Sequence, residues 1–372
     1  MRFVTTQVLS TQIKGCVVVK QGCAEKRATR RTKPLERIFE HVAISVQEQF
    51  ETLYKHGAKK AIILAGPTGA GKTAFSIRLA EKIGGEIISA DSMQVYCGMD
   101  IGTAKATKLE RKRVPHHLID IRNIQEPFNV KDFYEEAMRV CHDIINRGGV
   151  PIVVGGTGFY IHSLLYGPPL GPPADPAIRS LLAEEEARFG IELLYDKLSL
   201  LDPVYAASIS RNDRHKILRA LEIIEISGKK VSDFSWKQRR PLGSFDWRCW
   251  FLFWPRPVLY KRLEARCEEM LRLGLLQEVV TLDRQGIRDN RTAAQAIGYR
   301  QTLDFLATAK TAQDYELYVE QLKQASRHLA KRQFTWFRKE PIFRWLDLSK
   351  HDADEALGIV MQDFEQEGPM LV

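Results

Sequence analysis

Gly66-Pro67-Thr68-Gly69-Ala70-Gly71-Lys72-Thr73 matches the pattern GxxxxGK[ST] in full, and its surroundings decide the fold. Upstream, Ala61 to Ala65 is a short apolar run of strand character. Downstream, a helical pattern runs from Lys72 to about Ile83 and is broken by Gly84-Gly85. A glycine-rich turn between a strand and a helix makes a phosphate cradle. The glycines let backbone N–H groups turn inward, the helix N-terminus adds positive potential, Lys72 neutralises phosphate, and the Thr73 hydroxyl can ligate Mg²⁺. The motif predicts a bound di- or triphosphate without saying whether phosphate is transferred or simply leaves.

Further along the chain, Glu86 to Ala90 reads as a second strand, Val130 to Asn146 as a helix and Pro151 to Val154 as a third strand. This alternation predicts an α/β fold, a P-loop NTPase-like parallel sheet with helices on both faces. The texture changes at the Pro-rich stretch Gly167 to Pro176. Charged helical segments follow over Pro176 to Phe189, Ile191 to Leu201 and Asp213 to Ile226, and predict a helical insertion over 173–244. The sheet pattern resumes at Trp247 to Trp254, helices run to about Lys339, and Phe343 to Leu348 reads as a last strand. The core is therefore expected over 57–172 and 245–349, with 350–372 as a C-terminal tail. Residues 1–56 are expected to be a basic N-terminal extension carrying a helix near 35–54.

The chain has 372 residues, which fits two domains, and its 44% hydrophobic and 27% charged content excludes a fibrous or largely disordered protein. No apolar run approaches the ~20 residues of a membrane-spanning helix, so no membrane partner is expected. Cysteines at six scattered positions form no CxxC pair, which argues against a disulfide framework or thiolate zinc site and for a reducing compartment. Net charge is +9, but +7 of it sits in residues 1–34. Global charge is thus weak evidence for nucleic-acid binding, and that case rests on local clusters. The basic opening reads as a disordered leader on a cytoplasmic protein, with organellar import as the alternative.

Two acidic residues follow predicted strands. Asp91, after Glu86 to Ala90, should face the same crevice as the phosphate loop, because ligands of open parallel sheets bind beyond the carboxyl ends of the strands. It is a candidate base; an Asx turn or an outer-sphere magnesium partner is the alternative. Asp120 is a rival, the nearest thing here to a Walker B aspartate. On the helical stretch Arg327 to Lys339, Arg327, Lys331 and Arg338 share one face, free for a phosphate backbone or simply solvated, while Leu322, Ala325, Leu329 and Trp336 share the face that packs inward.

Together with the loop at 66–73, Asp91-Ser92-Met93-Gln94-Val95-Tyr96, Gly98 to Lys105, Pro115 to Asp120, Gly155 to Tyr160, Gly298-Tyr299-Arg300 and the stretch Ala330 to Arg338 resemble, in order, the motifs of the tRNA dimethylallyltransferases. The resemblance runs from about Ala61 to Leu346. It implies transfer of a dimethylallyl group from dimethylallyl diphosphate to the exocyclic N6 amine of the adenosine 3′ of the anticodon, with Mg²⁺ and a tRNA anticodon stem-loop as partners and a monomeric enzyme. It implies Asp91 as base, Thr68 at the bridging region of the diphosphate and Arg256 near the pyrophosphate. Ser92, Met93 and Gln94 would touch the target base and its neighbours. Thr157, Arg179, the segment containing His215, Lys216 and Arg219, and Gln295, Ala296, Ile297, Gly298, Tyr299 and Arg300 would make further tRNA contacts. Ser210-Arg211 and Lys216 depart from the family pattern. No Cys/His zinc finger is visible, which points to the bacterial or organellar type. The competing expectations are an enzyme prenylating free adenine nucleotides and an ATP-dependent kinase or NTPase.

Overall fold

The computed structural model describes residues 59–234 and 245–366; the helix expected near 35–54 lies outside them. Six strands form one parallel sheet: β1 (Lys59–Ala65), β2 (Gly85–Ala90), β3 (His116–His117), β4 (Val150–Gly155), β5 (Phe245–Phe253) and β6 (Arg344–Asp347), in the order β3-β2-β4-β1-β5-β6. Thirteen α-helices are described: α1 (Lys72–Ile83), α2 (Lys108–Arg113), α3 (Val130–Asn146), α4 (Gly158–Tyr166), α5 (Pro176–Leu201), α6 (Pro203–Ala207), α7 (Arg214–Ser227), α8 (Arg256–Arg272), α9 (Leu275–Arg284), α10 (Arg291–Ala294), α11 (Tyr299–Leu306), α12 (Ala312–Phe337) and α13 (Ala353–Glu365).

The strands are apolar on both faces because both are covered. On one face Ile62, Leu64, Ile152, Val154 and Leu252 pack with Phe75 and Leu79 of α1 and Leu357 and Val360 of α13. On the other, Ile63, Ile88, Val153 and Phe251 pack with Phe133 of α3, Leu164 of α4 and Phe337 of α12. β1 is central, paired with β4 and β5, so the loop leaving its C-terminal end opens over the middle of the sheet.

The stretch expected to be a tail instead contains α13. Asp352 caps it, with Glu355 completing a capping box, and Ala356, Leu357 and Val360 are buried against the sheet. Its last turn carries the fully buried Asp363, which accepts from Trp250 Nε1 at 3.0 Å and Arg248 Nη1 at 3.2 Å and pairs with Arg344. The segment is thus stapled to β5 and β6.

Helices α5 to α7 lie between α4 and β5 and have their own apolar cluster, Leu182, Leu194, Leu198, Ile217 and Leu221. α5 is broken at Gly190, where φ is 80°, the boundary expected between its two halves. No described helix is long and apolar enough to cross a membrane.

Candidate active site

A cleft of about 580 Å³ opens at the carboxyl ends of β1, β2 and β4, within the size range of small-molecule sites. One wall of it is formed by the glycine-rich loop at 66–73. Thr68, Gly69, Gly71, Lys72 and Thr73 line the cleft, whereas Ala70 is buried beneath it. Lys72 Nζ donates to the carbonyls of Gly66 at 2.8 Å and Pro67 at 2.9 Å. Desolvation of this ammonium and repulsion from Arg266 outweigh attraction to Asp91 and bring its pKa down to about 7.

The loop is held from outside. Trp254 Nε1 donates to Ala70 O at 3.0 Å, Arg262 Nε donates to Gly69 O at 3.0 Å, and Gln333 Oε1 of α12 accepts from Thr68 N at 2.8 Å. Gln333 Nε2 also donates to Gly156 O at 3.1 Å, tying the phosphate loop to the loop after β4. Gly156 and Gly158 make room for the side chains that α12 presses against this loop. A Cβ on Gly156 would lie 2.1 Å from Gln333 Nε2, and one on Gly158 would lie 2.3 Å from the Trp336 ring.

Asp91 stands in the cleft beside Lys72 and Arg266. Its Oδ1 accepts from Met93 N at 2.9 Å and Gln94 N at 3.4 Å, while Oδ2 has no hydrogen-bond partner among the described residues. The Asx-turn alternative is therefore present in the geometry, and it leaves the second carboxylate oxygen available as a base. Thr157 Oγ1 accepts from Ser92 N at 3.3 Å. Ser92, Met93, Gln94, Thr157, Gln295, Ala296 and Ile297 line the same cleft.

The other expected site residues lie elsewhere. Arg256 is exposed at the start of α8, its guanidinium 5.0 Å from the Tyr260 ring centroid, and does not line the cleft; the arginine that α8 delivers there is Arg266. Gly298 and Tyr299 are buried and Arg300 faces outward, none of them lining the cleft. Arg179 and Arg219 sit in the α5–α7 unit and both pair with the buried Glu222, at 2.9 and 2.6 Å. Burial would raise the Glu222 pKa, but hydrogen bonds from Arg219, the Asp175 N–H and Arg179 hold it below the usual range. His215 and Lys216 are exposed on the first turn of α7, with Lys216 on the capping Asp213 at 2.8 Å.

Asp120 is not the Walker B carboxylate. It lies outside the cleft, accepting from Lys105 Nζ at 2.6 Å and Arg111 Nη1 at 2.7 Å. On α12, Arg327 is engaged by Glu264 and Glu320, whereas Lys331 and Arg332, and Arg338 at the helix end over the Phe334 ring, have no ion-pair partner among the described residues. The expected inward face of α12 does pack inward: Leu322 is buried in the core and Trp336 packs against it, and both, with Leu329, also line the cleft.

Arg266, Gln333 and His116 escaped the sequence reading as site residues. His116 Nδ1 donates to Val114 O at 2.8 Å, burial lowers the ring's pKa, and the buried Nε2 has no partner among the described residues.

Residues 94–340 match the family model described as IPP transferase. The tRNA dimethylallyltransferase of Protochlamydia amoebophila is 54% identical over 334 residues, covering 90% of this chain and 97% of that one. The chain belongs to the tRNA dimethylallyltransferase family. The Chlamydia abortus tRNA dimethylallyltransferase is 47% identical over 87% of this chain and 94% of its own. Among solved structures, the tRNA isopentenylpyrophosphate transferase of Bacillus halodurans is 38% identical with a TM-score of 0.61, covering 83% of this chain and 98% of that one. A eukaryotic dimethylallyltransferase acting on tRNA matches with a TM-score of 0.71 at 29% identity, covering 85% and 81% of the two chains. The cleft joins the glycine-rich loop at 66–73 to the carboxylate of Asp91.

Proposed function

We propose that the chain transfers the dimethylallyl group of dimethylallyl diphosphate to N6 of the adenosine 3′ of the anticodon. The observation that carries this reading is the shared cleft of Lys72, Arg266 and Asp91. In the reaction the allylic C–O bond breaks and its electron pair leaves with diphosphate. The N6 lone pair forms the C–N bond, and the N6 proton passes to Asp91. Lys72, Arg266 and the loop amides stabilise the charge growing on the leaving oxygen. The Thr68 hydroxyl, on the same loop, would contact the bridging region of the diphosphate.

Among the described residues no cluster of acidic, His or Cys side chains could hold a metal. Mg²⁺ fits differently, on one protein hydroxyl plus substrate phosphates. Thr73 lines the cleft at the first turn of α1, and its hydroxyl has no hydrogen-bond partner among the described residues. When bound there, Mg²⁺ would neutralise diphosphate charge.

The acceptor adenine must leave its stack to reach the cleft. Lys331, Arg332 and Arg338 on α12, and the Glu222-held Arg179 and Arg219, present cations to a phosphate backbone. The helical unit α5 to α7 serves as the tRNA-binding insertion on a core of the remaining described residues, α13 included. A single chain supplies every group of the cleft, so a monomer suffices. The test is nucleoside mass spectrometry after incubating the purified full chain with dimethylallyl diphosphate and either unmodified tRNA or AMP and ADP. N6-dimethylallyladenosine in tRNA supports the reading. Transfer only to free nucleotides, or ATP hydrolysis with no prenyl transfer, overturns it.

A further inference from the structure

Three consecutive backbone N–H groups converge on one carboxylate outside the cleft. Glu278 Oε2 accepts from Asp100 N at 3.1 Å and Ile101 N at 2.7 Å, and its Oε1 accepts from Gly102 N at 3.2 Å. The Tyr299 hydroxyl donates to the same Oε1 at 2.6 Å. Tyr299 is fully buried, and a Cβ on Gly102 would lie 2.5 Å from its ring, so the loop is seated directly on the tyrosine.

The segment fixed in this way runs straight into the cleft wall, where Gly102, Thr103 and Ala104 are exposed to the ligand space. Ala104 has φ 45°, a left-handed conformation that a non-glycine residue keeps only when its surroundings impose it. Thr103 O accepts from Gln94 Nε2 at 3.3 Å, while Gln94 Oε1 accepts from the Ser89 hydroxyl at 2.9 Å. The Gln94 amide, on the turn that follows Asp91, is therefore oriented by the loop that Glu278 and Tyr299 hold. Neither of those two residues reaches the cleft.

We infer that Glu278 and Tyr299 are a positioning pair for the acceptor side of the site, acting through loop 100–104 and Gln94 and not by touching tRNA. The phosphate loop hangs from a separate set of supports, Trp254, Arg262 and Gln333. Loosening the pair should therefore disturb the base-receiving wall and spare the diphosphate cradle. The tyrosine of Gly298-Tyr299-Arg300 then has a role its burial otherwise leaves unexplained. The inference rests on the prenyl-transfer reading above.

The test compares the full-length wild type, Tyr299→Phe, Glu278→Gln and the double variant in two assays: prenyl transfer to tRNA and calorimetric binding of inorganic pyrophosphate. Tyr299→Phe keeps the ring and removes only the donor, so it decides the matter if Glu278→Gln does not fold. Transfer should fall about 10- to 100-fold, the scale of an ångström-sized misplacement, with pyrophosphate affinity within about twofold of wild type. The double variant should be no worse than Glu278→Gln alone, since both act on one loop. Transfer unchanged in a folded Tyr299→Phe, or pyrophosphate affinity falling in step with transfer, would overturn the inference. Should the wild type prenylate only free nucleotides, the tRNA reading fails, and the variants' rates on that acceptor still judge the pair.

Discussion

Gln333 and Thr68 are 265 positions apart in sequence, yet the side-chain oxygen of the first accepts the backbone N–H of the second at 2.8 Å. The amide thereby fixes the part of the phosphate loop closest to the loop after β4. Gln333→Leu would free both the Thr68 N–H and the Gly156 carbonyl. Each is a hydrogen bond worth ~1 kcal/mol net, more if the group stays buried and unpaired. Pyrophosphate affinity should fall about 5- to 30-fold by calorimetry. Binding indistinguishable from wild type would show that the loop holds its shape unaided.

Asp91→Asn keeps an acceptor for the Met93 and Gln94 N–H groups, so the turn should survive. It removes the base. Single-turnover transfer should slow by roughly 100-fold or more, the usual loss for general-base catalysis, while tRNA binding stays close to wild type. Near-normal transfer would take Asp91 out of that role.

Lys72, with its pKa near 7 in the free protein, should gain a proton when a diphosphate binds above neutrality. The sign follows from the anion, which raises the lysine's pKa in the complex. The binding advantage is complete below the free-protein value and is lost as pH rises through the complex's higher value. Pyrophosphate affinity should weaken above pH ~7 by up to about tenfold per unit. Calorimetry at pH 8 in buffers of different ionisation enthalpy should show proton uptake approaching one. Zero uptake would mean the ammonium is already charged.

Arg266→Ala should raise the KM for dimethylallyl diphosphate by about 10- to 100-fold, the range for a charge-assisted hydrogen bond of ~1.5–3 kcal/mol. Arg256→Ala, outside the cleft on the same helix, should leave it within about twofold. The reverse ranking would restore Arg256 as the pyrophosphate residue.

Asp363→Asn should lower the stability of the whole core by ~3–5 kcal/mol, because Arg248 and Arg344 would lose a fully buried counter-charge. Thermal or urea unfolding reads this directly. A loss under ~1 kcal/mol would mean that Asp246 compensates for Arg248.

The phosphate loop, the first strands and the α5 break at Gly190 were legible because local rules govern them: glycines at the turn, apolar runs, a broken helical period. Arg266 and Gln333 were less visible for one shared reason. Each interrupts a buried helical stripe, Arg266 three residues after Leu263 and four before Met270, Gln333 between Ala330 and Phe337 at the same spacings. A polar side chain on such a stripe signals an interior partner, and that signal was available. Its partners were not, since Thr68 and Gly156 come together only through the sheet order. The α13 capping box at Asp352 and Glu355 was equally readable, but its docking depends on Arg248 and Trp250, more than 100 positions before Asp363, as well as on Arg344. Tyr299 shows the opposite failure. A motif match assigned it to the surface, and only packing reveals that it is interior.

The strand that ends in the phosphate loop has one neighbour from residues 150–155 and the other from 245–253. During synthesis, then, β1 leaves the ribosome long before its second partner exists, and one apolar edge stays open while the whole α5–α7 unit is made. Such an edge invites pairing with other chains. Until β5 is made, that edge of β1 stays exposed to aggregation even after β4 has paired, and a chaperone would have a strand edge to protect.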